Sequence, residues 1–270
     1  MKLCRFEILA DPERIRSGIV YSGKVYETDG SNPVGVHEAA DVRPLAPVGR
    51  APSLRIFRNP LRIGERLTID DAENLPYHYG NPSSVIGPSQ IVPRPEFALD
   101  LQFEPYLAAV VATPGRRVPV EHADEMILGF SILTQVVARD LVRRSESARG
   151  FDFATVLGPV LTTPEELDDH VSDQEFGRRY KLGLVARVNG VERRRADAED
   201  LPITFAQALS LCSQGAPLVE GDIIALGPLA SWTDDDPPLE PGDEIQVAVE
   251  VLGTLSTKVG EDAPVEEHSA

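Results

Sequence analysis

Glu104 and Tyr106 stand two residues apart in the stretch LQFEPYLAAVVA, residues 101–112. Strand alternation puts Leu101, Phe103, Pro105 and Leu107 on one face and Gln102, Glu104, Tyr106 and Ala108 on the other. A carboxylate and a phenol therefore point the same way, just ahead of the apolar run YLAAVV. Such a pair can move a proton or donate to a developing anion. His78, in the segment LPYHYG, is the second candidate. It reads either as a general base over a pocket or as an exposed loop residue. Its neighbours Tyr77 and Tyr79 either wall an apolar ligand or anchor the loop. His122 and His170 read as surface residues, and the acidic groups DDAEN and TDDD as solvated loops. No G-x-S-x-G elbow, phosphate loop or dinucleotide fingerprint occurs.

Strands must position these groups. The first fifty residues carry short alternating runs, KLCRFEIL, SGIVYSG and KVYETDG, ending in the proline-rich VRPLAPVGRAP. They predict a small N-terminal β-domain over residues 1–55. Residues 60–98 read as a long ordered loop or lid. From Leu101 onward strands recur: YLAAVVA, ILGFSILTQVVARD, KLGLVARVNGV, DIIALGPL and DEIQVAVEVLGTLSTKV. Three short helices interrupt them. One is VEHADEM; one is TFAQALSLCSQ, with Thr204 as N-cap; one is TTPEELDDHV, with Thr163 as N-cap and Pro164 at the first helical position. The main domain is placed at 56–259, and residues 260–270 read as a disordered acidic tail.

Composition narrows the function. The chain has 270 residues, enough for a sizeable core, and a formal net charge of −17. That balance argues against nucleic acid, whose phosphates need a basic surface. No stretch approaches a membrane span of roughly 20 apolar residues, and MKLCRFEILADPERIR is not a secretory leader. The expectation is a cytoplasmic protein. Cys4 and Cys212 lie far apart in the sequence and are expected to be free and buried.

Five stretches in order resemble the fumarylacetoacetate hydrolase family, including its small bacterial acylpyruvase and isomerase members, over roughly residues 75–258. They are NPSSVIGPSQIVPRP, LQFEPYLAAVVA, LGFSILTQVVARDL, ARGFDFATVLGPVL, and the series VNG, GDIIALGPLAS and LEPGDEIQVAVEVLGTLSTKV. The resemblance implies a mixed, β-rich (α+β) fold, a rolled β-structure with few helices, working as a homodimer. It also implies Mg²⁺ or Mn²⁺ held by an E-x-E pair and an aspartate, chelating a 1,3-dicarbonyl or 2-oxo acid.

This chain departs from that pattern. Glu104 matches the first glutamate, but Tyr106 stands in place of the second and Gln135 in place of the aspartate. Arg139 and Asp140 keep the family's A-R-D, Arg149 replaces a lysine and Pro228 a threonine. Magnesium needs anionic oxygen ligands to offset its dehydration; a phenol and an amide supply none near neutral pH. The expectation is therefore a lost metal, no cofactor, and Glu104 either ion-paired to Arg139 or Arg149 or left desolvated as an acid–base group. Three functions follow. The first is a metal-independent enzyme on an enolisable or β-dicarbonyl small molecule (tautomerisation, dehydration, cyclisation or C–C cleavage). In it Glu104, Tyr106, Gln135 and Arg139 are catalytic, and Arg149, His78 and Tyr77 bind substrate. The second is a non-catalytic ligand-binding or scaffold homologue. The third is a residual metal-dependent hydrolase drawing on Asp140.

Overall fold

The structure is a computed structural model that describes residues 1–30, 32–58, 64–144 and 147–262. Strands dominate: β1 (Lys2–Ile8), β2 (Asp11–Tyr21), β3 (Lys24–Thr28), β4 (Pro33–Glu38), β5 (Val42–Leu45), β6 (Leu54–Arg58), β7 (Tyr77–Tyr79), β8 (Val85–Ile86), β9 (Ile91–Arg94), β10 (Leu101–Val111), β11 (Ile127–Ala138), β12 (Thr155–Thr162), β13 (Val171–Asp173), β14 (Arg179–Tyr180), β15 (Gly183–Val188), β16 (Val191–Asp197), β17 (Ile223–Gly227), β18 (Glu244–Val249) and β19 (Gly253–Asp262). The short helices are α1 (Ile69–Ala72), α2 (Val120–Ala123), α3 (Arg139–Arg143) and α4 (Ser147–Phe151), and the longer α5 spans Phe205–Gly215.

One large mixed sheet runs in the order β4-β3-β2-β1-β12-β11-β10-β17-β6-β7, with β5 on β1 and β8 on β12. A second sheet has the order β16-β15-β18-β19-β9, and β13 pairs with β14. The β-rich class expected from the sequence is thus present. The N-terminal strands β1–β5 join the large sheet through the β1–β12 pairing. Residues 260–262, assigned to a tail, continue β19, which pairs with β9; residues 263–270 lie outside the described residues, as do 59–63 at the start of the expected lid. The rest of that lid contains α1, β7, β8 and β9.

β10 is buried along its whole length, because its apolar run packs on both sides. Its odd residues Leu101, Phe103, Leu107, Ala109 and Val111 enter the main core, with Phe130, Ile132 and Val136 of β11 and Phe205 and Leu209 of α5. Each fully buried side chain of this size contributes roughly 1.5–3 kcal/mol. The even residues Tyr106, Ala108 and Val110 enter a smaller core with Leu54, Ile56, Leu133, Leu157 and Ala225. α5 forms where expected. Its cap is complete: the Thr204 hydroxyl accepts from the Gln207 backbone while the Gln207 side chain accepts from the Thr204 backbone. Thr163 does stand at the N-cap position with Pro164 in the first turn, as expected. Residues Pro164–His170 form a 3₁₀ helix without a side-chain cap, since the Thr163 hydroxyl accepts from the Met1 amino group instead. Both cysteines are free and buried, and burial pushes each thiol up to about 11.

Candidate active site

The site is a row of side chains on one face of the large sheet. In β10 and β11, Glu104 lies directly opposite Gln135 and Tyr106 opposite Leu133. Gln135 in turn lies opposite Thr155 of β12. Cross-strand partners share a face, so Glu104, Gln135 and Thr155 stand side by side. On the other flank β17 pairs with β6 in parallel, with Gly227 opposite Arg58. β7 then pairs Ile56 with His78. Ile56 belongs to the same small core as Tyr106, so Arg58, two residues on, and His78 share this face as well.

Glu104 is fully buried, and its counter-charge is Arg58. Nε of Arg58 donates to Glu104 Oε2 at 2.9 Å, and Nη2 donates to Oε1, forming a two-pronged clamp. Tyr106 donates its hydroxyl to Oε2 at 2.8 Å. Burial opposes the charge on Arg58, but the hydrogen bond and the charge of Glu104 prevail and hold it above its usual range. Burial and the Glu104 charge raise the Tyr106 phenol well above 10, so it stays a donor. Gly227 makes room for this arrangement. A Cβ there would lie 2.8 Å from the Tyr106 ring.

A cavity of about 620 Å³ opens over Arg58, His78, Tyr79, Gly80, Asn81, Pro82, Val142, Phe151 and Asp152. The Arg58 side chain is 26% exposed, so the same guanidinium that clamps Glu104 also reaches the cavity. Phe151 of α4 lies 5.3 Å from the Arg58 guanidinium and 5.7 Å from the His78 ring. Two links fix the wall: Asn81 donates to the Asp152 carbonyl at 3.1 Å, and the Gly80 amide donates to Leu54. His78 is half-buried, and its Nε2 is buried without a hydrogen-bond partner. Its pKa falls below 6.5, first through burial and then through the Arg58 charge, with Glu104 opposing. The ring is therefore neutral at neutral pH, with a nitrogen able to take a proton.

The structure relocates several sequence expectations. Glu104, Tyr106 and Gln135 do converge, but all three are fully buried and none lines the cavity. Glu104 is linked to the cavity through Arg58, and Tyr106 through Glu104, whereas Gln135 hydrogen-bonds to neither. Arg139 does not reach Glu104. It donates to Asp100 Oδ2 at 2.6 Å and to the carbonyls of Thr233 and Asp236, and it lies 5.4 Å from the Trp232 ring. The reason is that β11 ends at Ala138 and α3 begins at Arg139, which turns the side chain away from the Gln135 face. Arg149 is exposed, with its guanidinium 4.8 Å from the Phe97 ring, and does not pair with Glu104 either. Tyr77 sits on the opposite face of β7 from His78, 5.1 Å from Phe57 in the main core, and does not line this cavity. His78 belongs to a strand, not a loop. Arg58 is the residue that sequence reasoning missed.

The donor set does not suit a divalent ion. At the three positions where the resemblance places metal ligands, Glu104 is the one carboxylate, and both of its oxygens already accept hydrogen bonds from Arg58. Asp140 is engaged elsewhere, accepting from the Asp100 amide. Among the described residues no group of three His, Cys, Asp or Glu side chains is placed to hold a metal ion.

Gln135 carries a further expectation. Both its amide atoms are buried without partners, as is Thr155 Oγ1 beside it. An unsatisfied buried polar group costs about 1–3 kcal/mol. Gln135→Met keeps the volume and is expected to raise the unfolding free energy by about that amount, measured by urea denaturation. No gain would show that a buried water or ligand satisfies the amide.

Residues 55–260 match the fumarylacetoacetate (FAA) hydrolase C-terminal family. The chain belongs to this family. Among its relatives, oxaloacetate tautomerase YisK of Bacillus subtilis (strain 168) is 32% identical over 187 residues, covering 67% of this chain and 59% of the tautomerase. The chain thus matches under two thirds of that protein. An uncharacterized protein of Archaeoglobus fulgidus is 30% identical over 250 residues, with 89% and 92% covered. Among solved structures, 5-carboxymethyl-2-hydroxymuconate delta-isomerase from Mycobacterium smegmatis superposes with a TM-score of 0.76 at 25% identity, covering 96% of this chain and 99% of that one. Within the described residues no helix is long and apolar enough to cross a membrane.

Proposed function

We propose that this family member is an enzyme that shifts a proton on an enolisable 2-oxo acid or β-dicarbonyl compound, with no resident metal or other cofactor. The observation that carries the reading is the His78 ring, which is neutral and lines the cavity together with the positively charged Arg58, its Nε2 buried without a partner. In tautomerisation His78 takes the proton from the carbon next to the carbonyl. Negative charge then builds on the carbonyl oxygen, where Arg58 donates hydrogen bonds to it. Returning the proton to that oxygen completes the keto–enol shift, and the reverse order runs it backwards. Glu104 and Tyr106 hold the Arg58 fork in place. Two similarities support the class, one to a protein named as a tautomerase and one to an isomerase. Within this reading the partners are the small-molecule substrate and a second copy of the chain, in the cytoplasm.

The test follows the enol absorbance of oxaloacetate, with and without protein, before and after chelator treatment. The expected result is acceleration over the spontaneous rate that survives the chelator. Absence of acceleration on oxaloacetate and on simple β-dicarbonyl compounds would overturn the enzymatic reading. A second reading has one observation in its favour: the closed packing of Glu104, Tyr106 and Gln135 suits a non-catalytic ligand-binding homologue. It predicts ligand binding without turnover in the same assay.

A further inference from the structure

Glu104 holds a charge at the centre of a sheet, away from water. Such a carboxylate requires a counter-charge at close range. The family pattern would supply a divalent cation, and this chain supplies a side chain. We propose that the Arg58 guanidinium is a built-in replacement for that cation: it fills the cation's place against Glu104 and provides the positive field at the cavity floor.

Charge balance is the first argument. One guanidinium on one carboxylate sums to zero. A divalent ion on Glu104, with the neutral Gln135 and the neutral phenol of Tyr106, would leave a net positive charge buried in the sheet. Hydration is the second. Magnesium gives up its water reluctantly, whereas guanidinium is weakly hydrated and presents a planar fork. The third argument is the direction of the hydrogen bonds. Tyr106 donates to Oε2, and Arg58 donates to both oxygens, so the carboxylate lone pairs that would hold an ion are directed at N–H and O–H groups. Placement is the fourth. Arg58 arrives at the end of β6, on the strand beside β17, and packs against Phe151, which holds it between Glu104 and the cavity.

The exchange alters what the site can accept. An ion of this kind binds a substrate through two oxygens at adjacent coordination positions. A guanidinium binds a planar anion through N–H donors, and one oxygen suffices. The ligand class is therefore an enolisable compound presenting a carboxylate or a single enolate oxygen, with no requirement for chelating geometry. This last step rests on the proton-transfer reading; the replacement itself does not.

The test uses the purified full chain and two readouts independent of turnover. The first is Mn²⁺ titration followed by electron paramagnetic resonance, on wild type and Glu104→Gln. The second is a double-mutant cycle in urea with Arg58→Met, Glu104→Gln and the pair combined. We expect no Mn²⁺ binding that depends on Glu104. We also expect each single variant to lower the urea midpoint, and the double variant to recover most of the loss. Stoichiometric Mn²⁺ bound by wild type and lost in Glu104→Gln would overturn the proposal. So would a double variant as unstable as the sum of the two singles, because Arg58 would then not be the counter-charge. Should Arg58→Met fail to fold, the neutral Arg58→Gln takes its place in the cycle. Since no arm measures catalysis, failure of the oxaloacetate assay and failure of this replacement are separately visible.

Discussion

Glu104→Gln is expected to destabilise the protein by about 3–5 kcal/mol, the usual cost of removing one partner from a buried ion pair. The change preserves shape and removes only charge. Arg58 then keeps its positive charge without its clamp, and the Tyr106 hydroxyl loses its anionic acceptor. For a chain of this size the cost corresponds to a fall in Tm of roughly 10 °C. Scanning calorimetry of the two proteins at neutral pH measures it directly. A loss below about 1 kcal/mol, the range of an exposed pair, would mean that water reaches Glu104 and that the pair is not the keystone of the site.

The second large effect concerns His78. His78→Asn is expected to lower kcat/KM for keto–enol exchange by roughly 10²–10⁴, the range for loss of a general base. The pH dependence has a definite sign. Only the neutral ring can accept a proton, and its pKa lies below 6.5. Activity should therefore be flat around neutral pH and fall as the medium is acidified through a value below 6.5. The charged groups near this ring are Arg58, Glu104 and Asp152. Arg58 lowers its pKa and Glu104 raises it, so Arg58→Gln, besides weakening catalysis, should move the acidic limb to higher pH. The same linkage acts on stability. The contribution from the neutral ring is complete above 6.5 and declines as pH drops through 6.5 toward the lower folded value. A rate profile rising on acidification would exclude His78 as the base. NMR titration of the imidazole gives the pKa independently.

Much of the architecture is legible in the sequence, because strand runs and turn residues are local signals. The alternation in LQFEPYLAAVVA places Glu104 and Tyr106 on one face, and β10 bears that out. Thr204 and Gln207, three residues apart, announce the start of α5. The ion-pair partner of Glu104 is not legible. Arg58 reaches it because β6 lies parallel to β17, and a pairing between segments so distant in the chain leaves no periodic trace in either. Arg139 shows the opposite failure. Its nearness to Gln135 in the sequence suggests a shared pocket, yet one change from strand to helix between them sends the side chain to Asp100. His78 lines the cavity, but its burial comes from pairing with β6, which the surrounding aromatic and glycine residues do not reveal.

The parallel docking of β6 on β17 also governs the order in which the protein is built. The strand carrying Arg58 leaves the ribosome long before its neighbour, which ends at Gly227. Contacts spanning so much chain form slowly, since loop closure must precede them. The charge of Glu104 therefore remains without its mate until synthesis has passed Gly227, and chains cut short before that residue should expose the central strand to solvent, to proteases and to one another.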